Sequence, residues 1–600
     1  MPRSIRALLA LALALSLPVA AQVEAPRVFV LDPDGLSLTA LSLDTAAVLG
    51  KATLQGEPGR ALISPDRTRI VVLDKGPGKL TMCCGYKASG KSWATVINAQ
   101  TLAVLARTEL GWNADIRKSA ALFSNGRLTI ACGGFKNPGK PEETLPRELV
   151  SLDLASGQVA GRVAIETSID DFVALPDEKT ALLFAGRETP KNQPAVDPVV
   201  HFVDLEGPKL LKSVTLKGDP GVPVASPDGQ YAYLLEKGKP DKKPEKNING
   251  RVQVLSVAAR EHVANLEAGR DPRGLVLDKE GNQVFVLAEG EPVLEKKDEL
   301  PGVLRVIRAA DVVSTVSVGE EPLFVRVSPN RERLFVVSEK SLTHVDLPSL
   351  SRLGKAVLKP AGISLMTDGG QSTVKELSIS RDGKRGYALY AASSKLGVLD
   401  LDGNKLLASV TTGRGGVKFG KFLGAMALSV ASYQAGYAGA SSAGGGMFFY
   451  NVYGVAPANT SLVTTLDEKF VYVLNTNSND VTIVNADTQA VVTKIGVGGA
   501  ANRLELLPGG AFMAVNTGTD TLHLIDTTTH AKVSELPDGG NFLLAPGEKF
   551  AAAIGKGIVY CMDGASLKVL GKATGFKKPS QLVFEPEPVP ITTAAAAATR

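Results

Sequence analysis

The feature that most constrains this chain is a repeat. Lys469 to Gly498, KFVYVLNTNSNDVTIVNADTQAVVTKIGVG, reads as three short strands. Val471 and Val473 sit in the first, Val481 to Val484 form the second, and Val491 to Ile495 form the third. Polar turns at Asn475 to Asp480 and at Asp487-Thr488 separate them. The next unit repeats the order, with strands at Phe512 to Asn516, Leu522 to Ile525 and Lys532 to Leu536. Short alternating strands with Asn/Asp/Gly/Ser turns at regular spacing predict antiparallel β meanders. A unit this small must stack on copies of itself to bury its apolar faces.

A second marker precedes each unit: a short apolar strand ending in a Ser-Pro-Asp-Gly-like turn. It stands at Ser64-Pro65-Asp66, Ser124-Asn125-Gly126, Leu175-Pro176-Asp177 and Ser226-Pro227-Asp228-Gly229. It recurs at Asp278 to Gly281, Ser328-Pro329-Asn330, Ser380 to Gly383, Leu466-Asp467-Glu468, Leu507-Pro508-Gly509 and Ala545-Pro546-Gly547. Proline presets φ for such a turn, and Asp, Asn and Gly tolerate the tight residue after it. Each marker therefore predicts the first hairpin of a four-stranded sheet.

The early markers fall about fifty to sixty residues apart, and the last three about forty apart. Early repeats carry Gly/Pro/Lys/Glu-rich insertions at Gly76 to Ser92, Lys136 to Leu145, Glu188 to Pro198, Gly238 to Gly250 and Gly290 to Pro301. All are expected at one hairpin of their blades, projecting from one face. A gap of about 85 residues before Leu466 fits two units, one of them degenerate across the Gly/Ala/Ser-rich stretch Gly413 to Ala458. The first unit, from Val28, lacks its preceding marker strand, and Gln581 to Pro586 supplies a segment of that kind. A ring closes when the last segment pairs with the first, because closure removes exposed sheet edges.

The count is eleven or twelve blade repeats, so the expected fold is all-β, a β-propeller. Common propellers have four to eight blades, which favours two rings in tandem. The expected division is a propeller of about seven blades over 22–370, a second over 371–590 with one degenerate repeat, and a disordered tail at 591–600. The soft boundary lies near 366–372.

The N-terminus reads as a signal peptide over 1–21. Arg3 and Arg6 precede the apolar run Ala7 to Leu17, and Val19-Ala20-Ala21 suits cleavage between Ala21 and Gln22. The run is too short for a transmembrane anchor, so the expected address is periplasmic or secreted. The formal charge of +5 falls to +3 once Arg3 and Arg6 leave, which gives no footprint for nucleic acid. An exported chain can oxidise its cysteines. Cys83, Cys84 and Cys132 lie in consecutive repeats and make a bridge conceivable, with buried free thiols, Cys561 among them, as the equal alternative.

The units between Phe470 and Gly540 resemble the YVTN family of bacterial β-propellers. The resemblance rests on Tyr472-Val473-Leu474-Asn475, Ala514-Val515-Asn516-Thr517, the run Asn479 to Val484, Asp487-Thr488, and Val497-Gly498. It is strong over about 80 residues and diffuse elsewhere. It implies blade folding and, loosely, binding or scaffolding in the cell envelope. WD-repeat proteins match less well, since the chain has only Trp93 and Trp112 and no Gly-His to Trp-Asp signature.

Chemistry is harder to find. His201, His262, His344, His523 and His530 show no tight metal-ligand spacing. Asp400 to Asn404 resembles a calcium loop only in part, because Lys405 stands where that loop needs Gly and Thr411 where it needs Glu. Asp170-Asp171 are neighbours and would face opposite ways on a strand. Gly413 to Gly424 is Gly-rich without the Lys-Ser/Thr ending of a phosphate loop. No catalytic residue, cofactor or metal is therefore assigned. The expected function is an exported binding or scaffold protein whose loops hold a protein, peptide or glycan. The alternatives are a hydrolase resembling the propeller lactonases and, behind it, a redox protein resembling the quinoprotein dehydrogenases.

Overall fold

A computed structural model describes residues 26–586 apart from 82–84, 115–120, 135–144, 188–194, 240–247, 279–281, 290–301, 339–340, 359–373, 391–394, 414–460 and positions 75, 477 and 500. Every regular element in it is a β-strand. Nine sheets have four strands. A tenth has seven and holds two blades that share a strand, so the described residues form eleven blades. The fold is a β-propeller. Neighbouring strands within each blade pair antiparallel.

The sequence explains the stacking. The second strand of a blade carries a run of apolar residues, as in Arg69–Asp74 (RIVVLD) and Phe470–Asn475 (FVYVLN). Successive strand residues face opposite sides, so a continuous apolar run buries both faces of its sheet. In blade 1, Phe29 and Leu31 pack against blade 2, while Val28 and Val30 pack against blade 11. The same division recurs at every seam. Eleven apolar cores link each blade to the next and the last to the first. Each Val or Leu sealed in a seam contributes about 1.5–3 kcal/mol. The fourth strands alternate toward solvent, as in Val48–Thr53.

The marker turns have a side-chain cause. Ser64 Oγ accepts the backbone N–H of Arg69 at 3.0 Å, and Ser226, Ser328 and Ser380 do the same for Tyr231, Arg333 and Arg385. The serine hydroxyl also donates to the turn aspartate, at 2.6 Å from Ser380 to Asp382. The third residue after the serine has positive φ: Arg67 at 63°, Arg331 at 56° and Gly383 at 71°. That geometry favours Gly at this position.

Closure matches the expectation. Gln581–Phe584 completes blade 1, with Val28 opposite Phe584 and Val30 opposite Leu582. Gln581 further ties the seam by bonding both the N–H and the C=O of Ala61 in blade 2. The boundary near 366–372 lies outside the described residues, as does nearly all of Gly413 to Ala458. Among the described residues, seven blades precede that boundary and four follow it. On its two sides, Phe335 and Val337 of blade 7 share a core with Ala388 and Tyr390 of blade 8.

Candidate ligand site at the roots of two insertions

The five insertions fall where the repeat pattern predicts. Each joins the second strand of its blade to the third, in blades 2 to 6. Strand direction alternates, so these connections share one face with the crossings from each blade to the next. The marker turns occupy the opposite face. The insertion of blade 2 carries its own two-stranded sheet, Gly78–Thr81 with Gly85–Ala88.

Among the described residues, blades 5 and 6 alone share a strand. One strand of 18 residues, Glu261–Asp278, is the fourth strand of blade 5 and the first of blade 6. Its midpoint lies between two insertions. Gly269 pairs with Gly250, the residue that ends the fourth insertion. Arg270 pairs with Glu289, the residue from which the fifth departs. The register then jumps to Gly274 opposite Leu287, so Asp271, Pro272 and Arg273 bulge from the ladder. Bulges re-aim side chains and recur beside functional sites.

Two glycines make the crowding possible. Gly269 has φ +99°, and a Cβ there would stand 2.5 Å from Arg305 Nη1. A Cβ on Gly250 would stand 2.4 Å from the ring of Pro272.

Three arginines converge here. Arg273 Nη2 donates to Glu289 Oε1 at 2.8 Å and lies 3.5 Å from Asp271 Oδ2. Arg270 Nε stands 3.8 Å from Glu289 Oε2, beyond hydrogen-bond reach. Arg305 Nη2 is 3.6 Å from Glu267, whose side chain is 60% exposed. Arg270 itself is 8% exposed. Its Nε and Arg305 Nη1 are buried with no hydrogen-bond acceptor among the described residues. Each such bare donor costs about 1–3 kcal/mol, and a guanidinium presents these donors in a planar fork suited to an oxyanion.

The residues singled out in the sequence lie elsewhere and apart. His201 is bonded to Thr167 Oγ1 at 2.9 Å and Ser213 Oγ at 2.7 Å. His344 packs edge-on to Phe335, His523 stands 3.4 Å from Glu535, and His530 meets Tyr472 Oη at 2.8 Å. His262 is exposed on a fourth strand. Among the described residues, no three His, Cys, Asp or Glu side chains are grouped to hold a metal. Asp400 Oδ1 accepts the N–H of Gly403 at 2.8 Å, a turn contact. Asp170 and Asp171 each bond nearby backbone, at Gly186 and Phe172. Cys132 is a buried free thiol whose pKa burial pushes up to about 12, and Cys561 is free and buried too. Cys83, Cys84, Ala21 and Gln22 lie outside the described residues.

Spacing does not show the arginine cluster, because its members come from two strands, Glu261–Asp278 and Gly302–Arg308, that are not neighbours in their sheet. A signal was present: the crossing segment Gly269 to Gly274 reads GRDPRG, while the matching Gly498 to Arg503 reads GGAANR, with a single arginine.

No protein-family model matches the chain, and no curated protein matches it either. Solved structures do. The dihydro-heme d1 dehydrogenase NirN, in complex with DHE, is 14% identical over 67% of this chain and 75% of its own, with TM-score 0.35. A eukaryotic initiation factor is 10% identical over 94% and 99%, with TM-score 0.38. The Kuenenia stuttgartiensis hydrazine synthase is 14% identical over 59% and 95%, with TM-score 0.26. Likenesses this remote carry no argument about what the chain does.

Proposed function

We propose that this chain is an exported, YVTN-like propeller that binds or scaffolds a protein partner of the cell envelope on its insertion face. The observation that carries the reading is the placement of all five insertions on second-to-third connections of consecutive blades. Loops gathered on one face of a rigid scaffold are where binding residues concentrate. Two of them flank Arg270, Arg273 and Arg305, the first of them buried. The YVTN-like residues support a folding role: Asn475 Nδ2 bonds Asp480 Oδ1 at 2.8 Å and Thr482 Oγ1 at 3.0 Å across its hairpin. The variable chemistry is thereby left to the insertions.

The test replaces 240–247 and 291–300 by short Gly-containing turns, singly and together. Partner capture from envelope extract should fall while the melting transition is kept. Unchanged capture by a folded double variant sinks the reading. Export has its own check, since N-terminal sequencing of the secreted protein should begin at Gln22.

One observation favours the hydrolase alternative. Lys375 and Glu376 lie on the first strand of blade 8, in the layer that lines a propeller channel. The register shift between Val374 and Glu376 leaves Lys375 on a bulge. Burial pulls the Lys375 amine down to about 8 and raises the Glu376 carboxyl. If this pair turns over esters, Lys375→Met must abolish hydrolysis of a chromogenic lactone by the intact chain. No hydrolysis by the parent protein removes this reading.

A further inference from the structure

We propose that a cavity at the closure seam, on the face opposite the insertions, receives a sugar acid: one carboxylate on a polyhydroxy frame, free or at the end of a glycan. This site is independent of the insertion-face reading.

The cavity has a topological cause. In blade 2 a marker turn, Ser64 to Thr68, joins the first strand to the second. In blade 1 those strands are Gln581–Phe584 and Arg27–Asp32, from opposite ends of the repeat array, so no turn spans them. The corner stays open as a cavity of about 340 Å³ beside the blade 2 turn. Ligand cavities run from about 300 to 1,000 Å³, so this one suits a single sugar unit better than a chain. Asp66 and Thr68 on its lining are exposed, so a ligand enters from solvent.

The lining excludes an apolar guest. All eight lining residues are polar or charged, whereas most ligand sites are chiefly apolar. A ligand here must offer hydrogen-bonding groups on every side.

Two arginines call for an anion. The only bond of Arg67 among the described residues is a 3.4 Å contact from Nη2 to Glu585 Oε2, a carboxylate that Arg27 Nε already holds at 3.1 Å. Arg69 donates Nε to Leu154 O and Nη1 to Thr68 O, both at 3.0 Å, and forms no ion pair among the described residues. A guanidinium fork matches a carboxylate. The acids already present limit the charge. The Glu585 side chain is 8% exposed and Asp66 lines the same cavity, so a phosphate with nearly two charges is opposed. Asn98 suits the hydroxyls. Its Oδ1 accepts the N–H groups of Gln100 and Thr101 at 3.0 and 2.9 Å, which leaves its amide N–H groups for hydroxyl oxygens.

The test is calorimetric titration of the full chain with galacturonate, glucuronate and gluconate, beside galactose and galactose 6-phosphate. At least one sugar acid should bind, with galactose and the phosphate weaker by about tenfold or more. Arg67→Gln and Arg69→Gln should each weaken that binding by a similar factor. Should Arg69→Gln fail to fold through loss of its bond to Leu154, Arg67→Gln decides alone, since Arg67 makes only the long contact to Glu585. Tighter binding of trigalacturonate than of galacturonate assigns the site to a glycan end, and the reverse assigns it to the free acid. The proposal is overturned if no sugar acid binds, if galactose or the phosphate binds as well, or if binding is indifferent to Arg67→Gln. Binding that appears only after removal of 587–600 also overturns it, since the corner is then a seat for the chain's own tail.

Discussion

Asp32 accepts the backbone N–H of Lys577 on one carboxylate oxygen at 2.8 Å, and that of Lys578 on the other, also at 2.8 Å. Gly35 donates to it as well, at 3.1 Å. Asp32 is 2% exposed. A single side chain near the start of the chain thus fixes the approach of its last strand. Asp32→Ala leaves these donors bare and should cost about 1–3 kcal/mol in urea unfolding. Hydrogen exchange at 577–584 should quicken in the variant. Exchange unchanged from the parent would mean that the clasp contributes nothing.

Removing residues 580–600 tests closure more severely. It strips Val28 to Leu31 of the strand they pair with. An unpaired edge invites pairing with other chains. The truncated protein should elute as oligomers in size-exclusion chromatography, while removal of 587–600 alone should leave a monomer-sized peak unchanged from the parent's.

The turn aspartates set the acid limit. Ser380 lowers the pKa of Asp382 by hydrogen bonding, Thr465 that of Asp467, and Ser566 that of Asp563. A carboxyl with a lowered folded pKa stabilises above its unfolded value of about 3.9 and loses that contribution as pH falls through the folded value. Ser380→Ala should therefore destabilise at pH 7 and narrow its deficit as pH falls below the unfolded carboxyl value of about 3.9. A deficit independent of pH would show that the hydroxyl acts only on the N–H of Arg385.

His344 governs a different window. It is 1% exposed, and burial, with Arg333 nearby adding to it, lowers its pKa to about 4. The unfolded chain takes up that proton near pH 6.5. The folded form does so only near 4, so stability should fall as pH drops across that interval and then level for this group. His344→Phe keeps the edge-on ring contact with Phe335 in kind. The denaturation midpoint of the variant should be flatter between pH 6.5 and 4 than that of the parent.

Much of the blade pattern was legible because its causes are local. Ser380 and Asp382 lie two residues apart and build their turn from their own side chains. The closing strand was legible by counting, since the first unit lacked a strand and Gln581 to Pro586 offered one. The strand shared by blades 5 and 6 was not. The crossings at 54–57, 166–170 and 319–321 each interrupt the strand, and nothing in a period-two pattern says that Glu261–Asp278 runs through. The arginine cluster depends on that continuity. Arg270 and Arg305 are brought together by register across Gln283–Glu289, a long-range pairing that spacing alone does not encode.

Completion of the first sheet by Gln581–Phe584 also sets an order of events. During synthesis, Arg27–Asp32 waits with one edge bare until more than five hundred further residues have been made. At the usual 5–20 residues per second this delay is roughly half a minute to two minutes. The intermediate blades can form in turn while the first stays incomplete. A chain assembled this way closes its first sheet only after Gln581–Phe584 is released, so its earliest strand is the last to gain both of its neighbours.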